Sequence, residues 1–194
     1  YITEESEKII GNEEMIVIDP IDGTTNFIHG IPLVGIVIAK IINEEITDGV
    51  IYNPILDDFF WASKGKGSWC NNNRLRVSKR QDIIDCIIGT GIPHMDRIYP
   101  QYLKEIDAIT KNCAGLRRLG AASIDLAYVA AGKLDAYWER NLNIWDVSAG
   151  VLLVKEAGGR VSQPNGESWD IHSKDILVSN SNIHEIIQEK LEII

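Results

Sequence analysis

The stretch MIVIDPIDGTTNF, residues 15–27, joins an apolar run to a tight polar turn that carries two carboxylates, Asp19 and Asp22. Such a turn has the makeup of a divalent-cation site. Pro20 has a fixed φ and no amide hydrogen, so a strand over Met15 to Ile18 is expected to end there, while Gly23 allows a backbone twist or close ligand approach that a Cβ would block. Thr24 and Thr25 follow with backbone amides and hydroxyls suited to phosphate oxygens, especially if they open a helix. Asp, Pro and Gly are also ordinary turn residues. An EF-hand loop does not fit the spacing, because its carboxylates fall at the first, third and fifth positions. The oxygen-only ligand set points to Mg2+ or Mn2+.

A second element, IWDVSAGVLLVKEAGG, covers residues 144–159. Asp146 stands where an N-cap or first-turn residue would, ahead of an apolar face of Val147, Val151, Leu152 and Val154, and Gly158 and Gly159 give the stop. Together, DPIDGTTNF and WDVSAGVLLVKEAGG closely resemble the paired signatures of the inositol monophosphatase family of lithium-sensitive, magnesium-dependent phosphatases. Both are long, specific and in the right order.

Composition agrees. The chain has 194 residues, 45% of them hydrophobic, enough to bury a sizeable core. A formal net charge of −9 argues against gripping nucleic acid through a basic surface. An acidic protein that binds phosphate needs local positive charge, which cations on clustered carboxylates supply. The run Arg74, Arg76, Lys79 and Arg80 reads as a solvated strand end. No stretch reaches a bilayer span and no signal peptide opens the chain, so no membrane association is expected. Cys70, Cys86 and Cys113 form no CxxC pair and read as reduced thiols of a cytoplasmic protein. The four histidines have no metal-ligand spacing, and surface or turn roles are expected for them, including His29 just after the first motif.

The pattern changes near residue 82. From Leu33 to Val77, apolar stretches over 34–42, 46–52 and 59–62 alternate with turn signals at 43–45, 57–58, 65–67 and 71–73, predicting an antiparallel meander. Gly65 and Gly67 lack the third glycine and following helix of a nucleotide loop and predict a hairpin turn. Beyond residue 82, strands and helices alternate. Cys86 to Gly89 is a short buried run. Tyr102, Leu103, Ile106 and Ile109 share a helical face, and GAASIDLAYVAAG is a helix ending at Gly132. Leu134 to Trp138 and Ile176 to Val178 read as strands, and a terminal helix carries Ile183, Ile186, Ile187 and Leu191. The expectation is a layered α/β (α+β) body with a β-rich metal-binding subdomain over 1–82, an α/β subdomain over 83–194 and the site between them.

The resemblance implies alternating layers of helix and sheet and assigns roles by position. Asp19 and Asp22 would be metal ligands with the backbone carbonyl of Ile21, and Asp146 would hold a second metal. Gly23 and Thr24 would bind phosphate through backbone amides. Glu4, in the segment Thr3-Glu4-Glu5 where Thr3 stands for the family's glycine, would be a further ligand and, with Thr24, would orient and deprotonate the attacking water; Glu13 and Glu14 are nearby acidic competitors. Gly120, Ala121 and Ala122 match the segment that presents backbone to the sugar. Glu139 matches the glutamate that accepts hydrogen bonds from substrate hydroxyls. Two cations about 3.5 to 4 Å apart would serve a direct in-line attack.

The implied activity is hydrolysis of myo-inositol 1-phosphate and related polyol phosphates by a homodimer. Adenosine 3′,5′-bisphosphate and fructose 1,6-bisphosphate are the alternative substrates. Bacterial extragenic-suppressor members also imply a contact with RNA polymerase or its transcription complexes. The family carries an N-terminal helical region with a further acidic residue, whereas this sequence opens at Tyr1; without that region, weaker metal affinity, exposed apolar surface and slower turnover are expected.

Overall fold

The computed structural model describes residues 2–3, 6–7, 14–92 and 100–192. The first sheet is built from β1 (Ile2–Thr3), β2 (Ser6–Glu7), β3 (Glu14–Asp22), β4 (Gly35–Ile42), β5 (Glu45–Asn53), β6 (Asp58–Ser63), β7 (Gly67–Cys70) and β8 (Asn73–Arg74). Its strand order is β2-β1-β3-β4-β5-β6-β7-β8, antiparallel except for the parallel pair of β1 and β3. The predicted meander is therefore present. Its turns follow local chemistry: Asn43 and Glu44 take φ of 50° and 63°, the left-handed pair that a two-residue hairpin needs. The Gly65–Gly67 hairpin is anchored from outside, because the Gly65 and Gly67 amides both donate to the Glu156 carboxylate at 2.7 Å.

The second sheet contains β9 (Ile87–Thr90), β10 (Gly115–Arg117), β11 (Ala136–Glu139), β12 (Gly159–Ser162) and β13 (Ile176–Asn180), in the order β10-β9-β11-β13-β12. The pairs β10–β9 and β9–β11 are parallel, and β13 is antiparallel to both its neighbours. The helices are α1 (Thr24–Ile28), α2 (Pro100–Thr110), α3 (Ala122–Ala130), α4 (Ile144–Glu156) and α5 (His184–Glu192). α3 and α4 lie between the sheets, touching β4 and β5 on one side and β13 on the other, while α2 and α5 pack together outside the second sheet. The layers run sheet, helices, sheet, helices.

One apolar cluster fills the space around α3 and α4, with Val37, Ile51, Phe60, Leu126, Val151 and Leu153 at its heart. A second, with Ile88, Ile109, Trp138, Leu177 and Ile187, joins the second sheet to α2 and α5. The outward face of the first sheet leaves Ile16, Ile36, Ile38 and Phe59 exposed.

Several local readings need correction. β3 does not stop before Pro20 but continues to Asp22, with a register shift against β4 between Asp19 and Asp22. A bulge lets a residue without an N–H stay in a strand. Leu103 faces solvent although Tyr102 and Ile109 are buried, so the buried stripe of α2 is narrower than its apolar content suggested. α4 buries every residue from Val147 to Val154 rather than one face, because a sheet lies on either side. His184 is fully buried between Ser162 Oγ (2.9 Å) and Ser179 Oγ (2.7 Å), not at the surface. Arg80 pairs with the buried Asp135 at 3.0 Å and is thus more than a solvated strand end.

Candidate active site

Three carboxylates converge from two distant parts of the chain. One oxygen each of Asp19, Asp22 and Asp146 lies within 4.8 Å of the others. The bulge in β3 aims Asp19 and Asp22, both buried, toward the helix layer. Asp19 Oδ1 accepts the Ile21 amide at 2.9 Å. Asp146 is the third residue of α4, and its Oδ2 accepts the Asn143 amide at 2.7 Å, so the side chain both closes the helix start and faces the site. Carboxylates this close repel one another unless a cation or protons intervene, and an all-oxygen donor set suits a hard divalent cation.

Asp22 is held most firmly. Its Oδ2 accepts the Ser123 amide at 2.7 Å and the Ser123 hydroxyl. Burial dominates and raises its pKa to about 6, against the lowering pull of Ser123. Gly23 takes φ 83° as the N-cap of α1, and a Cβ there would lie 2.9 Å from that of Ala121 and 3.0 Å from the Leu33 carbonyl. Only glycine satisfies both demands. Asn26 ties this turn to the facing loop by donating to the carbonyls of Leu33 and Leu119, each at 2.8 Å. The Thr24 hydroxyl donates to the Ile21 carbonyl at 3.0 Å.

These residues line a cavity of about 530 Å³, which brings together Asp19, Ile21, Asp22, Gly23, Thr24, Gly120, Ala121, Ala122, Glu139 and Asp146. Every candidate from the two motifs and the sugar segment is thus on one wall or another. Glu4 and Glu13 lie outside the described residues. Glu14 is drawn away into an ion pair with Lys40.

Glu139 closes β11, where Tyr137 Oη donates to its Oε2. Burial first, then Asp22 and Asp146, push its pKa up to about 7, with Tyr137 and Arg118 opposing. The loop after it is clamped by Arg140, which binds the buried Glu105 (2.6 Å) and Asp175 (2.8 Å), while Asp175 also accepts the Asn141 amide at 3.0 Å. Among the cavity residues that sequence reasoning missed are the charged Arg118 and Asp125. The available signal for Asp125 was a single carboxylate inside the apolar helix GAASIDLAYVAAG.

Comparison with known proteins gives a consistent picture. The model of the inositol monophosphatase family matches residues 1–194. The chain is 47% identical over 179 residues to an inositol-1-monophosphatase of Caulobacter vibrioides, covering 90% of this chain and 70% of that protein. It is 43% identical to the Nus factor SuhB of Pseudomonas aeruginosa, over 88% of this chain and 64% of that one. The inositol monophosphatase from Anabaena superimposes with a TM-score of 0.96 at 37% identity, covering 100% of this chain and 78% of its own.

Proposed function

This chain belongs to the inositol monophosphatase family, and within that phosphatase function we propose that it is a Mg2+-dependent phosphomonoesterase acting on myo-inositol 1-phosphate and related polyol phosphates. The observation that carries this reading is the convergence of Asp19, Asp22 and Asp146 within 4.8 Å, in a cavity that Glu139 also lines. Mn2+ is an alternative cation.

Asp19, Asp22, Asp146 and the Ile21 carbonyl would hold the cations, with Glu4 as a further ligand. When bound, a cation there would neutralise phosphate charge and make a water more acidic. The Gly23 and Thr24 amides orient the phosphate, the Thr24 hydroxyl, which donates to the Ile21 carbonyl, positions the attacking water by accepting its hydrogen bond, and Glu4 takes the water's proton. Gly120, Ala121 and Ala122 leave a wall without bulk against which the alcohol can lie, and Glu139 accepts its hydroxyl hydrogens. An in-line displacement then needs no covalent intermediate on the protein, and the departing alkoxide takes its proton from a water in the cavity.

The test is phosphate release from myo-inositol 1-phosphate with and without Mg2+, for the wild type and Asp22→Asn. We expect turnover that requires Mg2+ and falls at least about 100-fold in the variant, because a neutral amide cannot replace a ligating charge. A folded wild type without Mg2+-dependent turnover refutes the reading. Adenosine 3′,5′-bisphosphate and fructose 1,6-bisphosphate belong in the same assay as competing substrates. A homodimer in the cytoplasm completes the proposal, and its three cysteines without disulfides agree with that compartment.

A second reading, a partner role in transcription complexes, is favoured by the relative named a Nus factor. Retention of RNA polymerase by Asp22→Asn in a pull-down would separate that role from catalysis.

A further inference from the structure

Besides Glu139, one carboxyl group of the cavity has no part in the three-carboxylate cluster. Asp125 sits in the middle of α3, is 1% exposed, and its Oδ1 has no hydrogen-bond partner among the described residues. What little of it is open belongs to the cavity wall. A buried polar atom left unpaired destabilises a fold, and such orphans in native proteins tend to have a use.

The strand beneath explains how this carboxyl and that of Glu139 both fit. A Cβ on Gly89 would lie 2.7 Å from Asp125 Oδ1, and a Cβ on Gly91 would overlap the Glu139 carboxyl. The two glycines are two residues apart along an extended segment, so their missing side chains point the same way, about 7 Å from each other. Each absent side chain is the seat of one carboxyl group. The two seats are one strand repeat apart, so the two carboxyl groups are offset from each other along the cavity wall.

Charge narrows the ligand. Arg118 lines the same cavity and attracts both carboxyls, opposing the burial and the mutual repulsion that hold Asp125 well above the ordinary carboxylate range. A cation already serving this end disfavours an ammonium group there. A neutral hydroxyl suits it, since a hydroxyl can donate to a carboxylate or accept from a carboxylic acid.

We propose that Asp125 is a specificity-determining residue, which takes a hydroxyl of the substrate's polyol at a different ring position from the one that Glu139 takes. This rests on the phosphomonoesterase reading above. The hydroxyl meets the carboxyl group where Asp125 lines the cavity, so the residue trades stability of the free protein for recognition of alcohols bearing hydroxyls at two separated positions.

The test is steady-state kinetics with saturating Mg2+ on myo-inositol 1-phosphate and on p-nitrophenyl phosphate, which has no alcohol hydroxyls, for wild type, Asp125→Asn and Asp125→Ala. Thermal melts of all three accompany it. Asp125→Ala should lower kcat/KM for the inositol ester about 10-fold and leave the nitrophenyl ester within about 2-fold, while its melting temperature rises. Asp125→Asn, which keeps a hydrogen-bonding group, should fall between. An unchanged preference between the two esters in both variants overturns the assignment alone, as does an equal loss on both esters with a lowered melting temperature, the mark of a structural residue. A wild type that hydrolyses neither ester overturns the phosphatase reading and this assignment with it.

Discussion

Substitution of Ser123 by alanine separates the positioning of Asp22 from its charge. The backbone N–H of residue 123 still reaches Asp22 Oδ2, and only the hydroxyl bond is lost. Little else should move, because Ser123 is fully buried and the missing side chain of Gly35 already makes room for its oxygen. A hydrogen bond to a charged group contributes about 1.5–3 kcal/mol, or about 10- to 100-fold in the protonation equilibrium of that group. In the wild type, with a pKa of about 6, the Asp22 carboxyl is mostly ionised at pH 7 and about half ionised at pH 6. Only the ionised form ligates a cation. In Ser123→Ala the proton becomes the stronger competitor. The half-saturating Mg2+ concentration for phosphate release should therefore rise about 2- to 10-fold at pH 7 and about 5- to 50-fold at pH 6, and nearly match the wild type at pH 8.5. Saturating metal should restore most of kcat. A ratio that stays constant across this pH range, or no change at pH 6, would refute the claim that the hydroxyl acts by keeping Asp22 ionised.

Two further outcomes follow from the buried charges. Arg140→Ala strands the carboxylate of Glu105, which is fully buried and among the described residues keeps only Trp138 Nε1 at 3.1 Å. That should destabilise by about 3–5 kcal/mol and lower the melting temperature by about 6–20 °C, with Glu105→Gln in the same chain recovering much of the loss; a shift below about 3 °C contradicts it. Glu139, raised to about 7 chiefly by burial, keeps in the metal-free native state a proton that the unfolded chain releases near pH 4.5. Stability of the metal-free protein consequently falls as pH rises from about 4.5 to 7. Glu139→Gln removes that contribution, so its advantage over wild type in urea unfolding with EDTA should grow across this window to at most about 3 kcal/mol and then level off. A pH-independent difference would count against it.

The parts of the fold legible in the sequence were those written in local chemistry. The hairpins follow from residues such as Asn43 and Glu44, the helix ends from Gly23 and Gly158, and both halves of the acidic cluster from motifs whose residues sit side by side in the chain. What escaped depended on long-range packing. β10 (GLR) and β12 (GRVS) are too short and too polar to show a period, and exist because neighbouring strands supply their hydrogen bonds. Arg118 is unremarkable in sequence, the lone carboxylate of Asp125 in an apolar helix does not say what it faces, and both enter the site only because α3 and the chain before it are laid across the cavity. The burial of His184 likewise required knowledge of where β12 and β13 would place two serines.

The helix that carries Asp146 is enclosed by a sheet on either side, whereas α1, next to Asp19 and Asp22, is a five-residue turn with Phe27 56% and Ile28 74% exposed. Native-state opening is drawn from segments with little buried apolar contact. Amide hydrogens along α4 should then exchange only when the whole molecule unfolds, and those of α1 by fraying. The two walls of the site should consequently keep different time: the threonine wall opens by local fraying, against an aspartate that holds its position for the lifetime of the fold.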